Sequence, residues 1–173
     1  MKSIPDNIKE IVQIDEKSPT GLSWVSCGRA DVEEGTPCGS LNLRGYYQTN
    51  ILGDIFLNHR IVFFLHNGYL PEIVDHIDRN TVNNSPDNLR EADKSQNQAN
   101  QKIRIDNTHG VKGVYFNRKR EKPWWCSVTF RGKTYFGGSF KTLEEAADAV
   151  SQLRKNVHGD FASSGKETGS SET

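Results

Sequence analysis

From Trp124 to Phe130, the residues Trp124, Cys126, Val128 and Phe130 alternate with Trp125, Ser127 and Thr129. That is the period of a half-buried strand. Gly132 supplies a turn into Lys133 to Phe140, which reads as the next strand of a meander. Thr142 with Glu145 three residues later is a capping box that opens a helix. Leu143, Ala146, Ala147, Val150, Leu153 and Val157 then fall on one apolar face of that helix. The pattern predicts an α+β module of three antiparallel strands and one amphipathic helix over residues 110–162, and 173 residues leave room for a second small module.

Charge divides the chain in the same way. Lysine plus arginine equals aspartate plus glutamate at 22 each. Residues 100–160 nevertheless hold 12 basic against 6 acidic residues, while residues 51–99 hold 4 against 7. A basic module suits phosphate and an acidic one suits a cation. The first fifty residues, with 5 basic against 7 acidic, do not form a basic arm.

The acidic part contains VDHIDRNTVNNSPDNLREADKSQNQAN, from Val74 to Asn100. Cutting a phosphodiester needs a nucleophilic water and positive charge against the phosphate. The imidazole of His76 titrates in the range that suits a general base. Mg²⁺ takes oxygen ligands and keeps several waters, so Asp75 and Asn97 suffice as a sparse protein ligand set. Asn88 would hydrogen-bond the other ring nitrogen of His76 and fix its tautomer. The expected layout is a short strand ending at Val74 to Ile77, a polar Asx-rich loop, and a helix from about Ser85 to Gln101. Asn88 and Asn97, nine residues apart, would face nearly opposite sides of one straight helix. The helix must therefore bend or break, or Asn97 must start a second segment.

The segment HRIVFFLHNGYLPEIVDHIDRN, followed by DNLREADKSQNQAN, resembles the HNH endonucleases of the phage and intron-encoded (homing) type over roughly residues 55–101. The resemblance implies a ββα-metal fold and the H-N-N variant of the motif. It implies Asp75 as metal ligand, His76 as general base, Asn88 as the residue that orients it and Asn97 as second metal ligand. One Mg²⁺ or Mn²⁺ per active site and hydrolysis of double-stranded DNA follow from it. One such site cuts one strand, so a double-strand break would need a homodimer or two successive events. The alternative is a DNA-binding regulator whose nuclease core is catalytically inactive. His59 stands before the apolar run Ile61 to Leu65, where the family tends to show a His-Arg pair. It reads as a core or phosphate-contacting histidine rather than a metal ligand, and His66 takes no role.

GVYF, the GSF-T-EEAA run and the terminal HGDFA resemble the ethylene-response-factor (APETALA-type) DNA-binding domain of plants, which is also found appended to phage HNH nucleases. The resemblance implies a sheet laid in the major groove. Arg118, Lys119, Arg120, Lys122, Trp125 and Arg131 are the candidates for DNA contact.

Leu22 to Val25, Ser40 to Thr49 and Ile55 to Leu57 read as short strands, with Gly45 at a hairpin bend. They form an N-terminal β-structured extension completing a nuclease domain over 1–101, joined through a linker at 102–109 to the module at 110–162. Residues 163–173 read as a disordered tail. Cys27, Cys38 and Cys126 form no CxxC pair, so no structural zinc is expected. Sparse cysteine, with no signal peptide or apolar run of transmembrane length, predicts a reduced cytoplasmic setting and no membrane contact. For a phage-encoded chain that setting is the host cytoplasm.

Overall fold

The computed structural model describes residues 3–26, 32–101, 103 and 107–162. Cys27, half of the expected linker and the tail at 163–173 lie outside them. The chain forms two compact units that divide between Ala92 and Asp93.

The first unit opens with a single helical turn α1 (Ile8–Ile11) and the paired strands β1 (Val12–Ile14) and β2 (Leu22–Trp24). A three-stranded antiparallel sheet follows, made of β3 (Ser40–Leu41), β4 (Tyr47–Ile51) and β5 (Asp54–Leu57). Leu52 and Gly53 join β4 to β5 with φ of 53° and 88°, the mirror-image two-residue turn whose twist matches that of the strands. Helix α2 (Asn58–Asn67) packs on β1, β4 and β5 and on the antiparallel pair β6 (Ile73–His76) and β7 (Leu89–Ala92). Its buried residues Asn58, His59, Ile61, Val62 and Phe63 enter a core with Ile8, Leu22, Ile51 and Val74. Complete burial of Ile61 or Leu22 stabilises the unit by about 2–3 kcal/mol each. Asn58 is also fully buried, and its amide is satisfied by Thr20 O, Cys38 O and the Thr49 hydroxyl.

A helix was expected from Ser85 to Gln101, and the structure corrects this. Ser85 and Pro86 do start a helical turn, but it ends at Asn88. Residues 89–92 are then strand β7, because the backbone groups of β6 need a partner along their open edge. The helix proper, α3 (Lys94–Asn100), begins later, so Asn97 does stand in a second segment.

Helix α3 belongs to the second unit, which places the division earlier than the linker expected at 102–109. Within that unit Lys112 Nζ donates to the carbonyls of Gln98, Ala99 and Gln101 at 3.2, 3.0 and 2.8 Å. A cation there caps the carbonyls at the helix end. The helix start is held by a capping box in which Gln96 N donates to Asp93 Oδ1 and Asp93 N to Gln96 Oε1.

Three antiparallel strands, β8 (Val114–Phe116), β9 (Trp124–Phe130) and β10 (Lys133–Phe140), form the sheet of the second unit in the order β10-β9-β8. Arg131 and Gly132 make the β9–β10 turn with φ of 50° and 75°. Helix α4 (Leu143–His158) starts at the expected box, with Glu145 N on Thr142 Oγ1 and Thr142 N on Glu145 Oε2. Cys126, Val128, Ala146 and Val150 are the buried centre between sheet and helix. Among the described residues no helix is long and apolar enough to cross a membrane.

Candidate active site

Strand β6 ends in the Asp-His pair, and successive side chains of a strand point to opposite faces. Asp75 lies opposite Arg90 of β7, whose Nε reaches Asp75 Oδ2 at 3.0 Å. The guanidinium fixes the orientation of a carboxylate that is only 7% exposed.

His76, on the other face, is buried against α2 and the β3–β4 connection. Its ring centroid lies 5.0 Å from that of His59 and 6.1 Å from that of Tyr46. Burial pushes the pKa of His76 below its ordinary value; Asn84, Asp78 and Asp75 act in the opposite sense. The ring is therefore neutral at neutral pH. Burial, followed by the neighbouring His76 and Arg60, pushes His59 down to about 3, so His59 stays uncharged and takes the core role. His66 is exposed in the last turn of α2.

The residue on the His76 ring is Asn84. Its Oδ1 lies 3.1 Å from His76 Nε2, and its Nδ2 donates to Thr20 O at 2.9 Å. The second bond fixes which end of the amide faces the ring, so Nε2 carries the hydrogen and Nδ1 the lone pair. Gly21 makes this approach possible. Its φ is +78°, and a Cβ there would lie 2.7 Å from Asn84 Cβ.

Asn88 was expected to hydrogen-bond His76, and this is corrected. Its Nδ2 donates to Asp78 Oδ1 at 2.9 Å and to Asn83 O at 2.8 Å, and its Oδ1 accepts from Asp78 N at 3.1 Å. Asn88 closes the loop that leaves β6, where Asn83 Nδ2 also donates to Asp78 Oδ2 at 2.7 Å. Burial raises the pKa of Asp78, but the bonds from Asn83, Asn80 and Asn88 outweigh it and hold the carboxyl below its ordinary value. The sequence carried a faint signal for Asn84, an asparagine eight residues after the histidine in an Asx-rich run. Its acceptor, 64 residues earlier, carried none.

Asp75, His76, Asn84 and Asn88 thus belong to one unit, and Asn97 stands on α3 of the other. A carboxylate and an amide oxygen are donors that a hard divalent cation takes. Among the described residues no group of three or more His, Cys, Asp or Glu side chains is placed to hold a metal ion. A cation held by so few protein side chains would draw much of its coordination from water and substrate, as Mg²⁺ commonly does.

In the second unit Arg118, Lys119, Arg120 and Lys122 are exposed in the connection between β8 and β9. Trp125 is half-buried and stacks on Tyr115 with ring centroids 4.3 Å apart and planes at 21°. Arg131 is engaged by Asp93, with Nη2–Oδ2 at 2.8 Å and Nε–Oδ2 at 3.2 Å. Both side chains are well exposed, so solvent screens this pair and it opens readily.

The HNH endonuclease family model matches residues 56–99, which contain the Asp75-His76 pair, Asn84, Asn88 and Asn97. Residues 56–99 are an HNH endonuclease domain, and the protein is a DNA endonuclease. Among curated proteins it is 39% identical to Protein 3.8 of Escherichia phage T7 over 98 residues, 56% of this chain and 79% of that protein. It is 32% identical to the uncharacterized HNH endonuclease L560 of Acanthamoeba polyphaga mimivirus over 128 residues, 73% of this chain and 65% of that protein. No solved structure matches it significantly.

Proposed function

We propose that the protein is a metal-dependent, site-preferring endonuclease of the homing type that hydrolyses phosphodiester bonds in double-stranded DNA. His76 is the general base, and Asp75 and Asn97 hold one Mg²⁺ or Mn²⁺. The hydrogen bond from His76 Nε2 to Asn84 Oδ1 carries this reading. It leaves a neutral, buried imidazole with its lone pair on Nδ1, the protonation state a base requires. His76 takes the proton of the attacking water at Nδ1. Asn84 keeps the tautomer in place and accepts from the imidazolium that forms. Arg90 keeps Asp75 oriented, and Asn88 maintains the loop that follows His76. A bound divalent cation supplies charge against the scissile phosphate and the leaving oxygen.

The second unit is proposed to hold the DNA through Arg118, Lys119, Arg120 and Lys122, with Trp125 and Arg131 at the sheet. The exposed basic connection and the three-stranded sheet backed by one helix support that reading. Arg131 would exchange Asp93 for phosphate at small cost.

The test is a supercoiled-plasmid assay on phage and host DNA with Mg²⁺, Mn²⁺ or EDTA, comparing wild type with His76→Ala. Cation-dependent nicked circles or discrete fragments, lost in the variant while binding persists, are expected. Cutting by the variant at the wild-type rate would remove His76 from the mechanism. Binding without cleavage by either protein would make the chain a regulator, and degradation of unrelated DNA to short fragments would refute site preference.

A further inference from the structure

The second unit holds an open cavity of about 730 Å³ lined by α3, the start of β8, residues 127–129 of β9 and the end of α4. Arg154 and His158 of α4 line it, and they are only 6% and 8% exposed. Arg154 Nη2 and His158 Nδ1 are buried and have no hydrogen-bond partner. A guanidinium keeps its charge, so burying even one of its nitrogens without an acceptor is costly, and a ligand in the cavity would supply that acceptor.

The remaining lining is biased in the same direction. His109 and Lys112 add two further basic side chains, and among the described residues no aspartate or glutamate lines the cavity. The Lys112 ammonium is committed to the end of α3 but lends its positive field to the space. Ser127 and Thr129 of β9 belong to the lining, and Phe116 adds an aromatic ring 6.1 Å from that of His109. The volume lies within the range of organic-ligand sites, roughly 300–1,000 Å³, and far exceeds what an inorganic oxyanion fills.

The geometry points to a nucleotide-binding site in which Arg154 and His158 take the phosphate and Phe116, beside His109, faces the base or sugar. The nucleotide is either free or one unit of a DNA chain. This site lies wholly in the second unit and does not rest on the assignment of His76. Burial, then Arg154 and Lys112, push the His158 pKa down, so a phosphate arriving beside it would favour its protonation.

Calorimetric titration of the full chain in EDTA tests this with thymidine 5′-monophosphate, thymidine, inorganic phosphate and a short oligothymidylate. Saturable binding of the monophosphate or the oligonucleotide is expected, with thymidine failing to bind. Arg154→Gln and His158→Gln should each weaken the binding by about tenfold or more. Binding of the monophosphate assigns the site to a free nucleotide, and binding of the oligonucleotide alone assigns it to the DNA chain. Should Arg154→Gln fail to fold by circular dichroism, His158→Gln decides. The proposal is overturned if neither phosphate probe saturates, if thymidine binds as well as its phosphate, or if folded variants keep wild-type affinity. Binding lost in Asp75→Ala but kept in Arg154→Gln would belong to the nuclease site and would equally overturn it.

Discussion

Asn84 Oδ1 lies 3.1 Å from His76 Nε2, and the same amide donates to Thr20 O at 2.9 Å. One buried side chain thereby couples the orientation of the His76 ring to a turn near the start of the chain. Asn84→Ala is expected to lower kcat by about 10- to 100-fold while DNA affinity changes little. Asn84→Asp, which keeps an acceptor for Nε2, should retain more activity than the alanine variant. Steady-state kinetics on a nicking substrate separates the two parameters, and a matching loss of affinity would make Asn84 a residue of general stability only.

Stability should fall in mild acid. Burial, with His76 and Arg60 nearby, pushes the His59 pKa from 6.5 to about 3. Between those values the unfolded chain binds a proton that the folded chain refuses. The contribution of the neutral ring is therefore complete above pH 6.5 and is lost as pH falls toward 3. The slope is on the order of 1 kcal/mol per pH unit for one such group. Urea midpoints measured from about pH 7 to about pH 4 should decline, and the decline should be shallower in His59→Gln. Equal slopes for the two proteins would contradict the assignment.

Arg90→Gln removes the guanidinium from Asp75 Oδ2, an ion pair of 3.0 Å between largely buried side chains. The expected loss is about 1–3 kcal/mol of stability. Taking away that competing positive charge should also let a divalent cation act more strongly on Asp75. Added Mg²⁺ should therefore raise the Tm of the variant more than that of the wild type. Identical Mg²⁺ responses would argue against Asp75 as a ligand.

Replacing both Arg118 and Arg120 with glutamine should weaken DNA binding and flatten its salt dependence. The slope of log K against log salt should fall by about 1 for each phosphate that is no longer neutralised. Fluorescence anisotropy over a salt series reads both effects. Unchanged affinity and slope would move the DNA-binding surface away from the β8–β9 connection.

The elements legible in the sequence were those whose signals are local. Strands β9 and β10 and the Thr142 cap of α4 fall where alternation, a turn glycine and a capping box place them. The cap of α3 had the same kind of signal in Asp93 and Gln96, hidden inside the longer helix expected from Ser85. Helix α2 was not foreseen, because the run Ile61 to Leu65 is apolar on every side and shows no period. Strand β7 was missed because its hydrogen bonds go to residues more than a dozen positions earlier.

The sequence by itself determined the chemistry. It supplied a carboxylate beside an imidazole, a nearby supply of amides, and a charge pattern that separates a basic part from an acidic one. The tertiary structure decided which amide serves the histidine. Asn84 and Asn88 carry the same group four residues apart, and no local rule ranks them. Asn84 reaches Nε2 only because Gly21, with positive φ and no Cβ, lets the Thr20 carbonyl approach it. Asn88 is instead consumed by Asp78 and the loop backbone. Hydrogen-bonding capacity is a property of residue type, whereas its direction is set by packing across the whole unit.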